Sequence, residues 1–310
     1  MKGQVKAQLG FGDEVLGARA AGNGVLERMH ALAPWAQIQA LLDTAYPCNV
    51  GRPSHDPLVL FKMTLLQHLY NLSDPQCEAQ VRDRLSFLRF VGLGLADEVP
   101  DETALVRFRA RLSAAGVEQA VLDLLNARLA GAALIIKRGT LLDASFVPSA
   151  GRHDSDARSM GNGPHKGKHG YKLHVGVDQD SGLIRKLVAT QANVHDGVVG
   201  HALISGDEAA VIADRAYDRR DLRARLKAQG AADGLMRKAH AGIGDGRKAQ
   251  IAAANRLLAP VRAAVERTFA DLKCRRSLAR SRYVGLAKNL SHFLLLAFTH
   301  NLRRAAVLTR

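Results

Sequence analysis

The chain has 310 residues, 47% of them hydrophobic, enough apolar material for one or two packed domains and too much for global disorder. Lys and Arg number 44 against 29 Asp and Glu, a formal charge of +15 with a pI near 10.2, which points to a polyanionic partner. No apolar run approaches the roughly 20 residues that span a bilayer, residues 1–10 lack a signal-peptide apolar core, and Cys48, Cys77 and Cys274 are too scattered for a zinc site, so a cytoplasmic, nucleoid-associated protein with reduced, mostly buried thiols and no membrane partner is expected.

In chain order, residues 1–132 read as helical. Asp56-Pro57 is a helix start, a side-chain cap followed by proline in the first turn, and Leu58, Phe61, Leu65, Leu66 and Leu69 follow at helical spacing. Asp101-Glu102 opens a helix carrying Arg107, Arg109 and Arg111, and Val117, Val121, Leu124, Leu125 and Leu129 repeat the apolar pattern, with Pro75 and Pro100 as punctuation. Near Gly139 the texture changes. Residues 140–147 are rich in strand formers, and Tyr171, Leu173, Val175 and Val177 alternate with polar or small neighbours as a period-two strand. Residues 183–190 read as its hairpin partner across Asp180-Ser181-Gly182. A helix over 196–204, a short buried strand over 209–213 ending on Asp214, a helix over 218–227, a long helix over 253–275 interrupted by Pro260, and a last helix over 286–306 complete the pattern. Residues 148–170 and 239–248 are Gly-rich and polar, with little to bury. This order predicts an α/β, ribonuclease-H-like domain over 133–310, preceded by an all-helical domain over 1–132.

Three acids stand out in that setting. Asp143 lies mid-strand in LLDASFV, Asp214 ends AAVIAD, and Glu266 lies on the helix RAAVERTFADLK. An ionised carboxylate in an apolar strand is costly unless paired or metal-bound. If the two strands are neighbours, their carboxylates repel by roughly 4 kcal/mol at 4 Å and an effective dielectric near 20. A divalent cation turns that repulsion into attraction; oxygen ligands suit magnesium or manganese, and two such ions serve in-line phosphoryl displacement. Arg262, Glu266 and Lys273 share roughly one helix face, placing cations for phosphate beside a carboxylate for metal; an intrahelical Arg262–Glu266 pair is compatible with that role.

The motifs ALAPW, YNLSDP and VPDETALVRFR, then GTLLDAS, HVGVDQDSGL, ANVHD and IADRAYD, and finally VERTFADLK and RYVGLAKN, run in order along nearly the whole chain. In these the sequence resembles the IS-five group of bacterial insertion-sequence transposases, relatives of the IS-four and Tn-five enzymes. The resemblance implies catalysis for the domain over 133–310 and DNA binding and dimerisation for the helical domain over 1–132. It also implies that Asp143, Asp214 and Glu266 are the catalytic DDE triad holding two Mg2+ or Mn2+ ions. The related signature Y-x2-R-x3-E-x6-K is met at Arg262, Glu266 and Lys273, with Ala259 in place of its tyrosine. Arg262 and Lys273 are then expected on phosphates at the element's end. Asn193, His195 and Asp196 also match the resemblance, although Asp196 reads equally as a helix cap. His153, His165, His169 and His174 lie among Lys166, Lys168 and Lys172 and read as a phosphate-facing loop rather than a metal cluster. Arg275, Arg276, Arg280 and Arg282, in a tail with eleven Lys or Arg against two acids over 262–310, are expected on phosphates near the cleavage site.

The expected function is therefore a DNA transposase, at least a homodimer on double-stranded DNA, acting on terminal inverted repeats and on target DNA. Water would attack the phosphodiester at the element's end, and the freed 3′-hydroxyl would then attack target DNA. The rivals are a ribonuclease-H-like nuclease that cuts without strand transfer and an inactive DNA-binding relic.

Overall fold

The computed structural model describes residues 24–46, 54–151, 153–161, 163–240 and 242–309; the helical reading of residues 1–23 and the expectation for Cys48 lie outside them. The chain divides into two compact units, residues 1–131 with 275–277 and 294–310, and residues 132–274 with 278–293.

In the first unit the helices are α1 (Gly24–Leu32), α2 (Trp35–Thr44), α3 (Pro57–Tyr70), α4 (Asp74–Asp83), α5 (Leu85–Val91), α6 (Glu102–Ala115) and α7 (Glu118–Gly131). Their starts follow local chemistry. The Asp56 carboxylate accepts from the Leu58 amide at 2.8 Å with Pro57 in the first turn. Ser73 and Gln76 form a reciprocal capping box, and Asp101 accepts from Ala104 at 2.6 Å. The apolar stripe expected on α3 is not its buried face: Leu58 and Leu69 are only partly covered, whereas every residue from Val59 to His68 is buried. A helix covered all round has no single core face to be marked by period 3.6. Residues 294–310, which the sequence reading placed with the α/β region, belong here. Phe298 packs edge-on against Phe61 at 5.2 Å, and Asn301 donates to Asn126 at 2.8 Å. Arg109 grips Asp74 through two hydrogen bonds at 2.6 and 3.0 Å, tying α6 to α4. Cys77 is buried, as expected, but Cys274 is exposed.

The second unit carries a mixed six-stranded sheet: β1 (Thr140–Pro148), β2 (Arg158–Ser159), β3 (His169–Asp178), β4 (Ile184–Gln191), β5 (Ala210–Ala213) and β6 (Ala232–Leu235). The order is β2-β3-β1-β5-β6, and β4 shares the outer edge of β3 with β2. β1 is antiparallel to β3 and parallel to β5, and β5 is parallel to β6. The β3–β4 hairpin closes where Asp178 accepts from both the Ser181 amide and hydroxyl. Between β4 and β5 the expected helix over 196–204 is one short α turn, α8 (Asp196–Val199), continuing as 3-10 turns over Gly200–Leu203. Its Val199 and Leu203 join Leu142, Val211, Leu222 and Leu226 in a buried cluster, the last two from α9 (Arg220–Ala228).

The expected single helix over 253–275 is broken. α10 (Asp245–Arg262) runs through Pro260 and ends two residues later. α11 (Val265–Ala270) follows after Ala263-Ala264 and runs into one π turn, Asp271–Arg275. The last helix, α12 (Leu286–Leu308), starts in the second unit and finishes in the first.

Residues 148–170 do bury something, against expectation. Asp154 is buried and accepts from the Tyr171 hydroxyl at 2.6 Å, from Ser149 Oγ at 2.9 Å and from the Gly285 amide at 3.2 Å. Composition alone misses this because one satisfied buried carboxylate organises a segment without apolar residues. Burial pushes the Asp154 carboxyl up, but the Tyr171 and Ser149 hydrogen bonds outweigh it and the net shift is downward. The stability it contributes is therefore present near neutrality and lost as pH falls through the acidic range. Asp154→Ala is expected to cost about 2–4 kcal/mol, the usual scale for breaking a buried charged network. A urea melt checks this, and limited proteolysis should find residues 149–160 newly cleavable.

Candidate active site

The parallel register between β1 and β5 pairs Thr140 with Val211, Leu141 with Ile212 and Leu142 with Ala213. The next residue on each strand is an acid, so Asp143 and Asp214 stand side by side where the pairing ends. Asp214 leaves the strand as a cap: its carboxylate accepts from the Ala216 amide at 2.8 Å and starts the 3-10 turn Arg215–Tyr217. Asp143 Oδ1 accepts from the Ala144 amide at 2.9 Å. The Asp143 carboxyl is raised to about 6: burial is the largest cause, the Ala144 amide and the Arg262 guanidinium act against it, and Asp214 and Asp196 add to it.

Glu266 enters from α11. The Arg262 guanidinium, at the end of α10, lies between the helix acid and the strand acid: one nitrogen is 3.2 Å from Asp143 Oδ2 and another 3.3 Å from Glu266 Oε1. Glu266 is exposed while Asp143 is largely covered. The structure thus links Asp143 to Glu266 through one arginine and sets Asp214 next to Asp143. It does not gather the three carboxylates: among the described residues no three His, Cys, Asp or Glu side chains stand close enough to hold a metal ion. The donor chemistry of Asp143 and Asp214, all oxygen and only partly neutralised, fits a hard divalent cation.

A further layer surrounds these acids. Asp196 takes a hydrogen bond from Lys172 Nζ at 2.8 Å, and the same ammonium donates to the Val194 carbonyl at 2.7 Å. His195, not Asp196, caps α8, through Nδ1 and the Gly197 amide. Gly197 is required by close approach: a Cβ there would stand 2.5 Å from the Ala216 carbonyl oxygen, on the turn that Asp214 begins. Tyr217 is buried with its hydroxyl unpartnered; burial, then Asp196, Asp143 and Asp214, hold its pKa well above the ordinary value. Tyr217 carries no mark in the sequence beyond its place in IADRAYD.

Several expected phosphate contacts are engaged elsewhere. Lys172 is committed to Asp196, because alternation turns it toward α8. His174 is fully buried against the Thr190 hydroxyl, and burial lowers its pKa to about 4. His169 meets the Asp154 carbonyl. Arg280 donates to the carbonyls of Ser149 and Ala150 at 3.0 and 2.6 Å, and Arg276 is buried, so both are structural. Lys166, Lys168, Arg275 and Arg282 are exposed, Arg282 beside the Tyr283 ring. Lys273 is half-buried on the π turn. His165, stacked on Phe146 at 4.9 Å, feels both Lys168 and Lys273, which lower its pKa after burial.

Two parallel strands whose pairing stops just before Asp143 and Asp214, with a helix supplying a third acid beside an arginine, define an α/β protein with a cluster of acids at that point. The chain belongs to the DDE-domain transposase family: the family described as "Transposase DDE domain" matches residues 136–302, and that described as "Transposase domain (DUF772)" matches residues 14–111. Among solved structures the chain is similar to a piggyBac transposase in a synaptic complex with hairpin DNA, at 11% identity over 94% of this chain and 74% of that one. The TM-score of 0.44 marks a likeness too remote to carry an argument.

The raised Asp143 pKa has a readable consequence. An acid whose folded pKa lies above its unfolded value stabilises the fold below the unfolded pKa and loses that contribution as pH rises through the folded one. Between about pH 4 and pH 6, the stability of the metal-free protein is expected to fall with rising pH by more in the native chain than in Asp143→Asn. Urea melts across that range check it.

Proposed function

We propose that this transposase cuts DNA at the ends of an insertion sequence and joins the freed ends to target DNA, and that Asp143, Asp214 and Glu266 are its catalytic triad. Within the family we assign it to the IS-five group, on the ordered motifs, and read its α/β region as ribonuclease-H-like. The observation that carries this reading is that Asp143 and Asp214 each follow the last paired residues of β1 and β5, with Arg262 bridging Asp143 to Glu266. It sits inside the matched DDE region.

Asp143, Asp214 and Glu266 would hold Mg2+ or Mn2+, two ions in the usual arrangement, which supply charge neutralisation for in-line phosphoryl displacement. The protein's own groups do the rest. The Asp143 and Asp214 carboxylates are fixed by the Ala144 and Ala216 amides, so they meet the scissile phosphate already oriented. In the first displacement water forms a bond to phosphorus and the 3′-oxygen leaves with a proton. In the second, that 3′-hydroxyl bonds to a target phosphorus and a target 3′-oxygen leaves. Neither step needs a nucleotide cofactor. Two ends must be held at once, so the working form is at least a homodimer on DNA, acting where chromosomal DNA is found.

Asp143→Asn, Asp214→Asn and Glu266→Gln should each lower cleavage and strand transfer by at least about a thousandfold, the scale of losing a catalytic electrostatic group, with DNA binding retained. The assay supplies inverted-repeat ends with Mg2+ and scores cleaved and joined products separately. Near-normal joining by any variant removes that residue from the triad, and cleavage without joining makes the protein a nuclease.

We assign Lys166 and Lys168, both exposed, to phosphate contacts. The Lys166→Ala, Lys168→Ala double variant should reduce the slope of log K against log salt by about two, equally on end and random duplexes. A salt titration with an unchanged slope returns both lysines to a solvated surface.

A further inference from the structure

The DDE reading asks three carboxylates to share a cation, yet the cation that bridges two of them belongs to the chain. Arg262 reaches Asp143 Oδ2 at 3.2 Å and Glu266 Oε1 at 3.3 Å, and the guanidinium is itself only about one-quarter exposed. We propose that Arg262 is the resident counter-cation of the acidic centre, exchanged for a divalent ion when the site is charged. This rests on the assignment of Asp143 and Glu266 to the metal centre.

Three observations support the exchange. First, the oxygens that Arg262 takes are those a divalent ion needs, so the two cations compete. Second, Arg262 sits where it can move. α10 has eighteen residues and buries one side chain, Asn255, whose amide clasps the Arg237 backbone at 2.9 and 3.0 Å. The helix has little packing to lose, and Ala263-Ala264 separates it from α11, so Arg262 and Glu266 are carried by different helices. Third, with Arg262 in place no three-acid group forms among the described residues. Withdrawal of the guanidinium frees Oδ2 of Asp143 and Oε1 of Glu266 together. The arginine bridges the two acids before the ion arrives, and its fork is afterwards available to a phosphate oxygen.

The test is Mn2+ binding to the full-length protein without DNA, followed by calorimetry and by the shift of the melting temperature. Arg262→Gln should bind Mn2+ roughly tenfold tighter than the native chain, within the usual range of a coupling between competing ligands. It should also melt lower without metal and gain more on adding it. The gain should vanish when Asp143→Asn is added. Arg262→Lys, whose single ammonium cannot span both carboxylates, should show the same trend at smaller size and replaces the Gln variant if that fails to fold. Binding that depends on Asp143 but is equal or weaker in the Arg262 variants overturns the exchange and leaves the metal centre standing. Mn2+ binding indifferent to Asp143 in every protein overturns both.

Discussion

Two ionisable carboxylates, Asp143 and Asp214, repel each other where the parallel pairing of β1 and β5 stops, and much of the second unit answers that constraint. Asp143 cannot move away, because β1 is held by β3 on one side and β5 on the other. Asp214 is pinned by the turn it caps. Neutralisation must come from outside the sheet, and α10 and α11 bring it in the form of Arg262, with Glu266 attached.

The supporting layer keeps the acids apart from the rest of the core. Lys172 satisfies Asp196 and the Val194 carbonyl together, so a third carboxylate near Asp143 is balanced without drawing on Arg262. The close approach at Gly197 sets α8 directly on the turn that begins at Asp214. A shift of α8 would therefore be felt at the turn that Asp214 caps. On the far side of β1, the Asp154 network fixes residues 148–160, with Arg280 and Ser281 tying the segment to the residues that follow the π turn.

What could be read in the sequence was local or periodic. The cap at Asp56, the turn at Asp180-Ser181-Gly182 and the alternation of β3 depend on neighbours a few residues away, and the structure shows them. The acids could be picked out because charge inside an apolar strand is costly wherever it occurs. The fate of the basic residues was not legible. Lys172, Arg276 and Arg280 look no different in sequence from Lys166, Arg275 and Arg282, yet the first three are spent on Asp196, the interior and two carbonyls. Partners 24 or 131 residues away decide that, and no periodicity carries such separations.

The sequence by itself determined the order of elements, the change from helical to α/β texture near Gly139, the three acids, and a motif series dense enough to indicate the family. Tertiary structure alone decided that α3 is buried on every side, that residues 294–310 complete the helical unit, and that α10 and α11 are separate helices with Arg262 joined to both Asp143 and Glu266. The physical reason is range. Caps, turns and alternation arise from contacts within a few residues, whereas burial and ion pairing depend on which distant groups the folded chain brings within about 4 Å.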